Sequence, residues 1–174
     1  YEQFKSKLEE LEKANIDSLI IDVRYNSGGH LTTATKIISL FLSSDKVIYQ
    51  IEDSSGTQKH YSQGNITKEY PIVVLVNGNS ASASEILASA LKEQYNAILV
   101  GKKTYGKGTV QELLKTKNGI QYKITTQHWL TSKGNWIDKQ GIDVDYDVEL
   151  TDKYLSNPID ENDSQLNKAI EILK

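Results

Sequence analysis

The stretch Ile72-Val73-Val74-Leu75-Val76-Asn77-Gly78-Asn79-Ser80-Ala81-Ser82-Ala83-Ser84-Glu85-Ile86-Leu87-Ala88-Ser89-Ala90-Leu91 decides the fold. Its first five residues are a short β-branched run, its middle a turn of Asn, Gly and Ser, and its end places Ile86, Leu87, Ala90 and Leu91 at helical spacing. That pattern reads as strand, tight turn and helix, with three serines at the helix start. A helix start presents unpaired N–H groups and the positive end of the peptide dipole, an environment suited to an oxygen that gains negative charge. Two readings stay open on this stretch alone. One of the serines is a nucleophile, or the serines only cap the helix, with Ser82 and Glu85 as the partners of a capping box.

Outward from this stretch, Thr104-Tyr105-Gly106-Lys107-Gly108-Thr109-Val110-Gln111 sets a lysine between two glycines on the way out of the apolar pair Leu99-Val100. Such a bend lets the backbone approach a neighbour closely. Burial would favour the neutral amine of Lys107, a base for a serine hydroxyl; the alternative is a solvated loop lysine.

On the other side of the strand, Leu19-Ile20-Ile21-Asp22-Val23 reads as a first strand, running through Arg24-Tyr25-Asn26-Ser27 into the pair Gly28-Gly29. Asp22 and Arg24 either pin that turn as a pair or lie exposed at the strand mouth.

Together these segments resemble the C-terminal processing peptidases, also called tail-specific proteases, which are serine proteases with a Ser-Lys dyad. The likeness is carried by residues 19–29, by Ser80-Ala81-Ser82-Ala83-Ser84-Glu85, by Tyr105-Gly106-Lys107-Gly108-Thr109-Val110-Gln111, and by Trp129-Leu130-Thr131, Gly134-Asn135-Trp136-Ile137 and Lys139-Gln140-Gly141-Ile142. It extends to about Leu150. The resemblance implies Ser82 as nucleophile, Lys107 twenty-five residues later as general base, and Gln111 as the side chain that holds the lysine amine. It also implies an oxyanion hole from the N–H of Ala83 and one from the glycine pair, Gly28, with Gly29, Tyr105 and Gly106 along the bound substrate. The implied fold is an α/β, crotonase-like (ClpP-type) layered core with added β-hairpins.

The chemistry is consistent with that assignment. A hydroxyl needs a base within about 2.6–3.2 Å, and each oxyanion donor is worth roughly 3–4 kcal/mol of barrier in comparable enzymes. Ser27 departs from the family, where many members have proline before the glycine pair; this loosens the turn but keeps the glycine.

At 174 residues, 38% hydrophobic and 25% charged, the chain is ordinary globular material. The expected organisation is a catalytic core over residues 1–150 and a polar linker with a C-terminal helix over 151–174. A net charge of −3 without a basic aromatic stripe argues against nucleic acid. The absence of cysteine excludes disulfides and thiol catalysis. No cofactor or metal is expected. The four acids Asp143, Asp145, Asp147 and Glu149 alternate along a strand-like stretch without a glycine-centred calcium loop, and read as a solvated edge.

The remaining elements are an amphipathic helix over residues 1–15, a helix over 31–42, a hairpin of 47–51 with 58–61, a strand over 97–100, and a hairpin of 110–114 with 121–126 around Lys117-Asn118-Gly119. Trp129 and Trp136 read as core anchors or as groove lining. His30, His60 and His128 are weighed as bases and set behind the lysine.

The chain contains no methionine, so it reads as a piece of a longer protein. The family resemblance implies a PDZ-like domain of the same polypeptide upstream, a location outside the cytoplasm or in the cell envelope, and a protein substrate lying as an added strand. Two rival functions share the pattern: a crotonase-like acyl-CoA enzyme, which needs a carboxylate acid/base that nothing nominates, and a peptide-binding module with a misaligned dyad.

Overall fold

The computed structural model describes residues 1–116 and 118–174, with only the main chain at residue 112. The run Ile72–Val76 forms β4, buried at every position because it is covered on both faces. It pairs in parallel with β1 (Leu19–Asp22) on one side and β5 (Ile98–Gly101) on the other, and the two-residue β8 (Tyr146–Asp147) completes a four-stranded sheet in the order β1-β4-β5-β8. Side chains of a strand alternate between faces. Ile72, Val74 and Val76 accordingly join a core with Phe41, Leu42, Ile48, Ile86, Leu91 and Trp129, while Val73 and Leu75 join Val100 and Ala169 on the opposite face.

The inner face is covered by α3 (Ala83–Ala90), which continues into a five-residue π turn over Leu91–Tyr95. A second, antiparallel sheet lies in the order β3-β2-β7-β6 and is built from two hairpins, β2 (Val47–Asp53) with β3 (Gly56–Tyr61) and β6 (Thr109–Lys115) with β7 (Gln121–Leu130). Both hairpins fall where the alternation expects them; Lys117 in the second turn lies outside the described residues. The α/β layered, crotonase-like core is therefore the fold of the chain.

The outer face is covered by α5 (Ser164–Leu173), within the 151–174 stretch that also holds the short α4 (Asp152–Ser156). Asp163 starts α5 by accepting from the N–H groups of Gln165 and Leu166 at 3.0 and 2.9 Å, and it pairs with the half-buried Arg24 at 2.8 Å. Arg24 also meets Asp22 at 2.7 Å, so the pair that sequence left either pinned or exposed is pinned, with the tail helix as a third member. Burial opposes charge on both partners. For Arg24 the hydrogen bonds to Asp22 and then Asp163 outweigh it and raise the guanidinium, and for Asp163 those from Arg24 and from the Leu166 and Gln165 N–H groups hold the carboxyl below the usual carboxylate range.

The expected first helix forms as α1 (Glu2–Lys13), with Leu8 buried and Phe4 packed against the core while Leu11 is 43% exposed. Two expectations are corrected. The helix expected over 31–42 is α2 (Leu31–Ile38), and it stops early because the Ser39 hydroxyl returns to the Thr35 carbonyl at 2.8 Å and the chain tightens into i+3 bonds at Leu40 and Phe41. Phe41 and Leu42 remain fully buried, which is why they mimic a continuing helix face. The stretch 143–150 is ladder-paired only at β8. The Asp145 carboxylate takes the Leu99 N–H at 2.8 Å, and the acids are matched by lysines: Asp143 by Lys103, Asp145 by Lys92, and Asp147 and Glu149 by Lys102. Among the described residues no helix is long and apolar enough to cross a membrane.

Candidate active site

Two turns meet at the C-terminal ends of β1 and β4, and their polar side chains fasten one to the other. The Ser80 hydroxyl donates to the Val23 carbonyl at 2.7 Å and accepts the Asn77 N–H at 3.0 Å. Asn77 Oδ1 accepts from the N–H groups of Tyr25 and Asn79, and the Ala81 N–H donates to the Asn26 carbonyl at 3.1 Å. Ser80 is fully buried in this clamp, and the buried Ser84 lines a different pocket from Ser82. That leaves Ser82, half-buried at the N-cap of α3 with φ 55° and ψ −117°. A non-glycine residue in this region costs of order 1–3 kcal/mol, and such strain at a strand-to-helix turn is the device that thrusts a serine hydroxyl out of the fold.

The strain is held by Glu85, one turn into α3 and fully buried. Its Oε1 accepts from the Thr104 hydroxyl at 2.6 Å and the Gly106 N–H at 2.7 Å; its Oε2 accepts from the Ser82 N–H at 2.9 Å and the Lys107 N–H at 3.0 Å. One oxygen atom thus fixes the main chains of Ser82 and Lys107 against each other. The far side of Lys107 is fixed too, since the Trp129 indole N–H donates to its carbonyl. Gly106 has φ +86°, and an added Cβ would stand 2.7 Å from the Gly141 nitrogen, so the loop presses on residues 137–141 where only glycine fits.

Ser82, Ala83, Lys107 and Gln111 line one cavity of about 350 Å³, with Trp129 and Ile86 in its wall. The structure brings Gly28, Gly29 and Ala83 together in the adjoining pocket of about 280 Å³, an apolar hollow that also holds Val23, Leu87 and Phe4 of α1. Gly28 has φ +96°, and a Cβ there would lie 2.7 Å from the Ala81 carbonyl oxygen and 2.9 Å from the Ala83 nitrogen, so the glycine turn packs directly on the Ser82 turn. The Gly28 N–H donates to Asn26 Oδ1 at 2.9 Å. Tyr105 and Gly106 line neither cavity: the Tyr105 ring is 64% exposed while its N–H donates to the Ser80 carbonyl, and Gly106 is buried beneath Glu85.

Of the two readings left open for Lys107, buried base or solvated loop lysine, the structure has the residue exposed, although its main chain is locked. Among the described residues no hydrogen bond joins the side chains of Ser82, Lys107 and Gln111; the Gln111 carboxamide instead reaches Thr125 Oγ1 at 3.5 Å. Among the described residues no histidine lines the Ser82 cavity. His30 lies in the glycine-side pocket, His60 stacks on Tyr49 at 4.4 Å with burial lowering its pKa, and His128 lies against Trp136. Of the two tryptophans, Trp129 is core and site wall together, whereas Trp136 is 46% exposed. Among the described residues no three His, Asp or Glu side chains gather as metal ligands.

Sequence reasoning saw Glu85 only as a capping-box partner and passed over Thr104, Asn77 and the Trp129 indole. One signal was present. Every residue of Ala83–Ala90 is apolar or small except Glu85, and an acid on a helix with no polar face needs buried donors to accept from.

The model of peptidase family S41 matches residues 1–148. Relatives include the carboxy-terminal processing protease CtpB of Bacillus subtilis, 42% identical over 91% of this chain and 33% of that protein. The carboxyl-terminal-processing protease of Synechocystis is 38% identical over 86% of the chain and 35% of the relative. Among solved structures, the photosystem II D1 C-terminal processing protease superposes with a TM-score of 0.75 at 32% identity, over 80% of this chain and 36% of that one. The chain spans about a third of the length of the curated relatives it matches.

Proposed function

The chain belongs to peptidase family S41, and on that premise we propose that residues 1–150 carry the catalytic core of a serine endopeptidase that cuts proteins near their C-termini. Ser82 Oγ attacks the scissile carbonyl while Lys107 Nζ takes its proton, and the same ammonium returns a proton to the leaving amine. Water then hydrolyses the acyl-Ser82 ester by the same base. The Ala83 N–H faces the developing oxyanion, and the Gly28 N–H joins it when the substrate oxygen replaces the Asn26 carboxamide as its acceptor. The observation that carries this reading is the single Glu85 oxygen shared by the Ser82 and Lys107 amides, which holds nucleophile and base on one cavity.

A lysine acts as a base only when uncharged, and water must leave its surroundings for that form to be favoured. With the Lys107 side chain exposed, this reading assigns the desolvation to bound substrate and to other parts of the longer polypeptide. Gln111 turns onto the amine in that closed arrangement. The reading extends to a PDZ-like domain of the same polypeptide that captures substrate C-termini, to a substrate strand passing Gly29 and Tyr105, to the 151–174 tail as a support outside the catalytic core, and to a place outside the cytoplasm.

The test is cleavage of an unstructured protein with an apolar C-terminus by the longest polypeptide that contains this chain. Ser82→Ala and Lys107→Ala are each expected to reduce cleavage by at least about 10³-fold. Cleavage that survives Ser82→Ala would overturn the assignment, and tight binding without cleavage in the wild type would favour a peptide-binding module.

A further inference from the structure

The turn that carries Gly28 is held from two sides. On the side of α3, the Tyr25 N–H donates to Asn77 Oδ1, the Asn26 carbonyl accepts the Ala81 N–H, and the Asn26 carboxamide accepts the Gly28 N–H. On the other side stands Arg24, whose guanidinium offers five N–H donors in a rigid fork. Nε donates to Asp22; Nη2 donates to Asp22 Oδ2 at 2.7 Å and lies 2.8 Å from Asp163 Oδ2; Nη1 donates to Asp163 Oδ1 at 3.1 Å and to Gln165 Oε1 at 3.0 Å. Asp163 and Gln165 stand at the start of α5 and are both buried. The Gln165 carboxamide donates in turn to the Val148 carbonyl at 2.7 Å, so the first turn of α5 is tied to the main chain after β8 as well. The helix that covers the outer face of the parallel sheet thus grips the chain where it leaves β1.

Between Arg24 and Asn26, Tyr25 is held at φ 58°. A tyrosine keeps that left-handed backbone only where its surroundings over-determine it. Its ring is 64% exposed, so the restraint comes from the main chain: the Asn77 carboxamide at Tyr25 itself and the clamped Arg24 before it. Gly28, three residues on, packs against Ala81 and Ala83 with no room for a Cβ, so a rotation relaxed at Tyr25 is carried into the direction of the Gly28 N–H. A buried ion pair is weak evidence of a stability role, since apolar side chains of similar volume often hold a fold as well. What a guanidinium fork on two carboxylates adds is geometry.

We propose that Arg24, Asp163 and Gln165 are positioning residues for the Gly28 N–H, so that α5, on the opposite face of the sheet from α3, sets the rate of the step at Ser82. The working unit of the site then runs on through residue 165. The donor role of Gly28 rests on the peptidase reading; the tie between α5 and the Gly28 turn does not.

The test compares wild type, Asp163→Asn, Arg24→Lys and Ala169→Gly in the longest polypeptide that contains this chain. Asp163→Asn removes the carboxylate charge, and Arg24→Lys keeps the positive charge but loses the fork. Ala169→Gly loosens the middle of the same helix, where Ala169 packs with Val73 and Val100, and leaves the pair untouched. Cleavage of the unstructured protein gives kcat and KM, and amide hydrogen exchange read by mass over residues 23–30 needs no cleavage. Asp163→Asn and Arg24→Lys are each expected to lower kcat about five- to tenfold with KM within about twofold of wild type, and to speed exchange over residues 23–30 about tenfold. Ala169→Gly is expected to speed exchange within α5 and to leave kcat and residues 23–30 within about twofold of wild type. If Asp163→Asn does not fold, Arg24→Lys decides. Unchanged exchange over residues 23–30 in the pair variants, an equal acceleration there in Ala169→Gly, or a change in KM alone would overturn the proposal. A wild type that cuts nothing, with residues 23–30 still loosened in the pair variants, removes the peptidase reading and leaves the tie. Cleavage undiminished in both pair variants removes the positioning role and leaves the peptidase.

Discussion

The floor of the site and the hairpin that overhangs it are built to different standards. In the floor, Ser80, Glu85 and Thr104 are buried, and the amides of Ser82, Gly106 and Lys107 all end on one carboxylate. In the hairpin, begun only a few residues later, Leu113, Leu114, Tyr122 and Ile124 are 44–66% exposed and the Gln111 carboxamide has one long contact. An unsatisfied donor in the floor loses its full desolvation energy, whereas a side chain on the hairpin exchanges one water for another. The chain therefore sets the main-chain positions of Ser82 and Lys107 by itself and leaves the surroundings of the Lys107 amine to whatever closes over the hairpin.

Substitutions can break this contrast. Glu85→Ala strands four donors, two of them buried, and is expected to destabilise the chain by about 3 kcal/mol or more, with Ser82 labelling abolished; denaturant unfolding measures it, and a loss below about 1 kcal/mol would mean the floor is not held by this carboxylate. Gly28→Ala drives a Cβ into the Ala81 carbonyl at positive φ. It is expected to lose about 1–3 kcal/mol in the same unfolding measurement and to slow labelling by roughly 10²-fold through the displaced donor.

Asp163→Asn probes whether the outer helix belongs with the floor. Its carboxyl is held low in the folded chain, so its contribution is present above the unfolded value near about 4 and fades as pH falls below it. The variant is therefore expected to lose about 1.5–3 kcal/mol at pH 7, and the gap between the two melting temperatures should narrow toward pH 3. A gap that widens in acid would contradict the Arg24 pairing. Gln111→Ala should move stability by less than about 0.5 kcal/mol, since the hairpin surroundings are already wet; a large loss would place Gln111 in the floor.

Much of the floor was legible in the residues because it depends on local pattern. The buried β4, the turn and α3 follow from a β-branched run, an Asn-Gly-Asn-Ser turn and helical spacing, and the two hairpins follow from alternation between turn residues. What was not legible depends on partners distant in sequence. Glu85 is the capping-box partner that the sequence suggests, but three of its four donors come from Thr104, Gly106 and Lys107, and no periodicity announces a contact across some twenty residues. The extent of α2 was overread because Phe41 and Leu42 are buried for tertiary reasons. Whether Lys107 is buried or solvated stayed undecided for the same cause, since burial of a loop side chain depends on what the fold, or the longer polypeptide, sets over it.

The central claim is that Ser82 is a nucleophile activated by Lys107, and the most direct measurement is the rate of fluorophosphonate labelling of the longest polypeptide that contains this chain, with the modified residue located by peptide mass. The account predicts one label per chain, on Ser82, with the rate reduced at least about 10²-fold in Lys107→Ala. Labelling at another residue, or an undiminished rate on Ser82 in Lys107→Ala, would contradict it.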